Sequence, residues 1–216
     1  MKQAQQLLDA PLAPDERNFV DYAYPSSRAV WNKIMLVGEA PGREEVRLGK
    51  PFVGRSGKLL NEMLEKAGID RDSCFVANCF RYQPPANKID HFFLSKRASV
   101  AQNEPIDESL DRFGSVWCKA AFASEIKVLQ ETVKSWKPAV ILALGRTPLW
   151  ALTGQNGLLT RVGQRLDCRL CQGVPVIPTF HPSFILRGNW AKQPEWLEHF
   201  SLAALLALQQ GKGEKA

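Results

Sequence analysis

The chain has 216 residues, 45% of them hydrophobic and 23% charged, with a formal charge of +6 and a pI near 9.1. That balance suits one sizeable core and a polyanionic partner. No apolar run approaches the roughly 20 residues that a helical bilayer crossing needs, and the N-terminal stretch lacks a signal-peptide core, so the cytoplasm is the expected compartment. The five cysteines lack the dense spacing of a secreted disulfide scaffold and are expected as reduced thiols.

Residues 1–33 hold prolines at 11, 14 and 25 and read as an N-terminal arm packed on the domain, with a first helix expected over 2–8. Ile34, Met35, Leu36 and Val37 form an apolar run that breaks at Gly38-Glu39-Ala40-Pro41-Gly42, the pattern of a buried strand entering a tight loop. The loop puts the carboxylate of Glu39 at a strand end. A second loop, residues 50–57, opens a helix at Arg55 or Ser56 that runs to about Ala67, with Leu59, Leu60, Met63 and Leu64 at helical spacing and Gly68 as its C-cap. Free backbone N–H groups at such a helix start attract an anion, and a phosphate suits the place. A second strand over 74–78 again ends on a polar residue, Asn78.

Periodicity loosens after Cys79. Residues 88–118 mix His91, Phe92, Phe93, Lys96 and Arg97 with polar residues and read as an insertion. Two alternatives stay open: a flap whose aromatic and basic side chains contact unpaired bases, or a surface subelement with its own apolar anchor. A long helix is expected over 119–136, a buried strand over 139–145, a short helix over 146–152, and a hairpin over 158–178 turning at Gly173. A last strand, 174–180, puts His181 at its end, and a final helix over 194–209 precedes a tail, 211–216, expected to be mobile. Four strands alternating with helices imply a single-domain, three-layer α/β/α fold with a central, mainly parallel four-stranded sheet. Ligands bind such sheets beyond the carboxyl ends of the strands, where Glu39, Asn78 and His181 all fall.

Three segments carry a resemblance. GEAPG followed by GKPFVGRSGKLLN, then FVANCFRYQPPAN around Asn78, then PTFHPSFILR around His181, together resemble the uracil-DNA glycosylase superfamily, most closely its family 4, over residues 34–187. The resemblance implies an enzyme that flips deoxyuridine out of DNA and hydrolyses its glycosidic bond, acting as a monomer on single- or double-stranded uracil-containing DNA. It makes Glu39, Asn87 and His181 the catalytic candidates: Glu39 to stabilise the cationic sugar or orient water, Asn87 to help place that water, His181 to donate to uracil O2.

Gly38, Ala40, Gly42, Glu45, Phe52 and Asn78 are the substrate-binding candidates. An amide at Asn78 can pair with uracil O4 and N3–H while mismatching cytosine, Phe52 offers a face for stacking, and Glu45 stands where a family 4 glutamate crowds a C5 methyl and excludes thymine. Each has a plainer reading beside it: Phe52 as core, Asn78 as a turn residue, His181 as structural. Arg55, Ser56, Ser183, Ile185, Leu186 and Arg187 are the DNA-binding candidates, with Leu186 or Ile185 as the wedge that fills the gap left by the flipped nucleotide.

Family 4 also implies an iron–sulfur cluster on four cysteines. Here the first 73 residues have none, Tyr82 occupies the second region and Glu125 lies near the third, so no metal and no cofactor are expected. Cys168 and Cys171 read as a reduced hairpin pair, or as half of a zinc site with Cys74, Cys79 or Cys118. Two rival functions share the motifs: a non-catalytic uracil-DNA-binding protein, and a covalent uracil-DNA trap, which Glu39 argues against and His91 keeps open.

Overall fold

The computed structural model describes residues 16–213; the helix expected over 2–8 lies outside them. A sheet of five strands holds β1 (Ile34–Gly38), β2 (Phe75–Asn78), β5 (Val140–Leu144), β6 (Leu166–Asp167) and β7 (Pro175–Thr179), in the order β2-β1-β5-β7-β6. The four expected strands are all parallel, and β6 adds a two-residue antiparallel edge to β7. β6 and β7 form the hairpin expected over 158–178, with a left-handed Gly173 (φ 81°) in the connection, and β6 adds a fifth strand to the four expected in the sheet. The parallel strands are buried throughout and read as continuous apolar runs because helices cover both faces.

Successive strand residues alternate between two cores. Met35, Val37, Ile141 and Ala143 pack with α4 (Ala120–Trp136) and α5 (Arg146–Thr153); Ile34, Leu36, Val140 and Leu142 pack with α2 (Arg55–Lys66) and α7 (Gln193–Gly213). α2 ends as expected at Gly68, which turns left-handed (φ 69°) while Ile69 N–H donates to Leu64 O at 2.8 Å. The spacer after the GEAPG loop is a six-residue helix, α1 (Arg43–Leu48). α7 runs to Gly213, so the first half of the expected tail is helical. The described part of the arm lies along the β2 edge, where Ala23 and Val76 exchange two backbone hydrogen bonds of 2.9 Å.

The insertion is anchored by its own aromatic residues. It carries a two-stranded ribbon of β3 (Phe93–Leu94) and β4 (Trp117–Cys118), and a helix, α3 (Lys96–Gln102). Phe92 stacks on Phe80 at 4.1 Å and Phe93 on Phe113 at 4.6 Å, all four buried. Phe92 and Phe93 are therefore spent on packing, and the reading in which they contact bases is corrected. The fold's switch point lies between β1 and β5: the chain steps from β1 out to β2, then returns to β1's other side. A crevice opens there, beyond the carboxyl ends of the strands.

Candidate active site

One cavity of about 630 Å3 occupies this crevice, within the range of small-molecule sites. Glu39, Ala40, Gly42, Glu45, Phe52, Arg55, Ser56, Asn78, Asn87, His181, Ser183 and Arg187 all line it. Gly38 lies beneath the cavity, buried in β1.

Gly38 and Asn78 are paired across β1 and β2. A Cβ on Gly38 would stand 2.4 Å from Asn78 Oδ1 and 2.4 Å from Phe52 Cζ, so the missing side chain is what lets the amide and the ring converge. Asn78 is 4% exposed, and among the described residues no protein group hydrogen-bonds its side chain. The amide lines the cavity, where a ligand can supply the partner.

Phe52 takes a left-handed backbone, φ 54°, which disfavours a bulky side chain and needs outside support. Glu45 provides it. Its Oε1 accepts from Val53 N–H at 3.2 Å and Gly54 N–H at 3.1 Å, while Oε2 accepts from Gly42 N–H at 3.1 Å, so one carboxylate ties the two loops together. Its oxygens are committed to three backbone amides, while the side chain stays in the cavity wall. Gly57 completes the fit, since a Cβ there would come 1.8 Å from Phe52 O.

His181 caps α6 (Pro182–Leu186), with Nδ1 accepting from Ser183 N–H at 3.1 Å and lying 2.8 Å from Ser183 Oγ. Arg187 donates to the same Oγ at 3.0 Å. Burial, with the Arg187 charge beside it, lowers the imidazole to about 4 from the usual 6.5. It is neutral near pH 7, and because Nδ1 must accept from a backbone amide, the proton sits on Nε2. Ser183, expected at DNA, is turned to His181 instead. Ile185 is wholly buried in the core and cannot be the wedge, since α6 directs it inward; Leu186 is half-buried and packs on the same core.

Glu39 lies 2.5 Å from Thr147 Oγ1, which donates to Oε2. Burial raises its carboxyl above the ordinary range, opposed by that hydrogen bond and by Arg146 and Arg187. Asn87 accepts from Gln83 Nε2 at 2.8 Å and has φ 54°. Arg43, Arg55 and Arg187 line the cavity and, among the described residues, none of them is in a salt bridge. Thr147, Arg146 and Arg43 escaped the sequence reading; a strand ending in glycine before a helix, as in ALGRT, was the available signal for the first two.

The residues where family 4 holds its cluster do not fit one. Glu125, 4% exposed, receives Arg81 through Nε at 2.9 Å, Nη2 at 3.0 Å and the backbone N–H at 3.1 Å. The Arg81 guanidinium lies 4.9 Å from the centre of the Phe19 ring, which meets Tyr82 edge-on at 5.3 Å. An ion pair and an aromatic clamp thus join the arm, the segment after β2 and α4. Among the described residues no group of three or more His, Cys, Asp or Glu side chains is placed to hold a metal ion. His91 meets the rings of Phe92 and Phe122, both at 5.4 Å, and is not part of the cavity wall.

Comparison with known proteins agrees with the motif order. The chain is similar to a type-4 uracil-DNA glycosylase of Thermotoga maritima, 34% identical over 159 residues that cover 73% of this chain and 68% of that protein. It is 32% identical to one from Archaeoglobus fulgidus over 168 residues, 71% of this chain and 67% of the other. It is 47% identical to one from Sulfurisphaera tokodaii over 161 residues, 71% and 61%. The family profile described as the uracil DNA glycosylase superfamily matches residues 29–203, which contain every cavity residue described above; on sequence, sheet order and site together, this chain belongs to the uracil DNA glycosylase superfamily.

Proposed function

We propose that the protein is a uracil-DNA glycosylase that takes deoxyuridine out of the DNA stack, hydrolyses its N-glycosidic bond and leaves an abasic site, as the opening step of base excision repair. The observation that carries this is the Asn78 amide, nearly buried and without a protein partner, beside Phe52 in the same cavity as a neutral His181. Asn78 offers a donor to uracil O4 and an acceptor to N3–H; cytosine presents the opposite pair and leaves the buried amide unsatisfied. Phe52 supplies a stacking face.

As the bond from C1′ to N1 breaks, its electrons pass to the base, and the Nε2–H of His181 stabilises the charge gathering at O2. Glu39, ionised, faces the positive sugar, and water adds to C1′ while its proton passes to the carboxylate. Asn87 helps place that water. No lysine lines the cavity among the described residues, which supports hydrolysis without an amine intermediate and hence a monofunctional enzyme. Arg43, Arg55 and Arg187, none of them in a salt bridge among the described residues, suit flanking phosphates.

The test is a labelled oligonucleotide with one uracil, single-stranded and paired with guanine or adenine, treated with protein, then alkali, and run on a denaturing gel. Cleavage at uracil by the wild type, much reduced in Glu39→Ala and His181→Ala, is the expected result. Tight binding to uracil-DNA without cleavage would make the chain a non-catalytic binder, and a denaturation-resistant protein-DNA band would make it a covalent trap.

A further inference from the structure

Three of the four parallel strands were expected to bring a side chain to the crevice: Glu39 after β1, Asn78 at the end of β2 and His181 after β7. The fourth, β5, ends in Gly145-Arg146-Thr147. Thr147 is fully buried, at the second position of α5, and its hydroxyl is within 2.5 Å of Glu39 Oε2. Its position follows from the sheet order, because β1 and β5 are neighbours at the switch point and their following residues meet there. Among the described residues this is the only hydrogen bond the Glu39 side chain receives, and Oε1 accepts none.

We infer that Thr147 is a positioning residue for the glycosylase reaction, its hydroxyl holding Glu39 Oε2 and leaving Oε1 for the attacking water. The inference rests on the reading of Glu39 given above. A carboxylate with one oxygen held by a buried donor has one orientation, whereas the same side chain without it can rotate away from the sugar. The hydroxyl also acts on charge: it donates to the ionised form and so works against the burial that favours the protonated one. Other groups around Glu39 belong to separate elements: Arg146 on α5 and Arg187 after α6 favour ionisation, Asp90 in the insertion opposes it, and Cys79 after β2 adds a neutral buried thiol.

The test compares Thr147→Val, nearly equal in volume, and Thr147→Ser, which keeps the hydroxyl, by two readouts. One is the pH dependence of single-turnover uracil release; the other is the 13C signal of the Glu39 carboxyl, identified by its loss in Glu39→Gln, followed through an acid titration. Thr147→Val is expected to take up the Glu39 proton at higher pH and to lose about tenfold in activity on the acid side of the profile, with a smaller loss on the alkaline side. Thr147→Ser is expected to restore both. A loss in Thr147→Val that is equal at every pH, with the Glu39 titration unmoved, would overturn the inference. An acid limb that survives in Glu39→Gln would instead remove Glu39 from the mechanism, and the carboxyl titration in Thr147→Val would still decide whether the hydroxyl governs that group.

Discussion

Gly38→Ala adds one methyl group at the point where the base slot is built. Its Cβ would stand 2.4 Å from both Asn78 Oδ1 and Phe52 Cζ, about 1 Å inside the 3.4 Å where ordinary contact begins. Neither neighbour can retreat freely: Asn78 is held in register on β2, and Phe52 lies between the Glu45 clasp and the bare Cα of Gly57. Gly38 itself is not in the left-handed region, so the strain is one of space alone. Overpacking of this kind costs about 1–3 kcal/mol of stability, which a domain of this size survives. A 1 Å displacement of reacting groups costs on the order of a hundredfold in rate, about 2.7 kcal/mol of barrier. Single-turnover excision from a uracil oligonucleotide, run beside thermal unfolding, separates the two effects. A Gly38→Ala protein that folds and excises uracil within about threefold of wild type would refute the reasoning, because Asn78 and Phe52 would then not need to converge.

The remaining expectations concern charge and loop geometry. His181 titrates at about 4 when folded against 6.5 when free. The native state therefore binds this proton more weakly than the unfolded chain, so its contribution is complete above pH 6.5 and is lost as pH falls towards 4. His181→Gln should flatten that part of the stability curve, and an NMR titration showing the imidazole protonating near 6.5 would contradict the assignment. Arg81→Met strands the buried Glu125 carboxylate and should cost about 3–5 kcal/mol, on the order of 10 °C in melting temperature. Adding Glu125→Leu should recover most of that, and a double variant as unstable as the single one would show that the ion pair is not the cause. Glu45→Ala leaves three backbone amides without their acceptor and should lower stability by about 2 kcal/mol; a thermal unfolding midpoint equal to that of the wild type would show that the clasp does not hold the loops.

Much of the site was legible before the fold. Apolar runs, one broken at Gly38 and the other ending before His181-Pro182, located the ends of β1 and β7, and with them Glu39 and His181, since strand length and burial are local properties of the chain. The insertion was ambiguous for a definite reason: an aromatic and basic stretch looks the same whether its rings stack on bases or on Phe80 and Phe113, and only the β3–β4 ribbon decides between them. Ile185 misled because wedge and core residues are both apolar, and a five-residue helix sets which of two adjacent side chains turns inward. Glu45 was incompletely legible for a related reason: a carboxylate near a pocket can face ligand or backbone, and its tie to three amides shows only in the folded loops.

By itself the sequence determined the alternating architecture and the placing of Glu39, Asn78 and His181 at strand ends, because periodicity, apolar runs and glycine act over a few residues. Only the tertiary structure decided that Thr147 holds Glu39 from 108 positions away, that Glu45 accepts from amides of two loops, and that Arg81 and Glu125 join. These pairings depend on which strands become neighbours. The crossing of the chain from β2 back to β5 sets that order, and no local pattern encodes it.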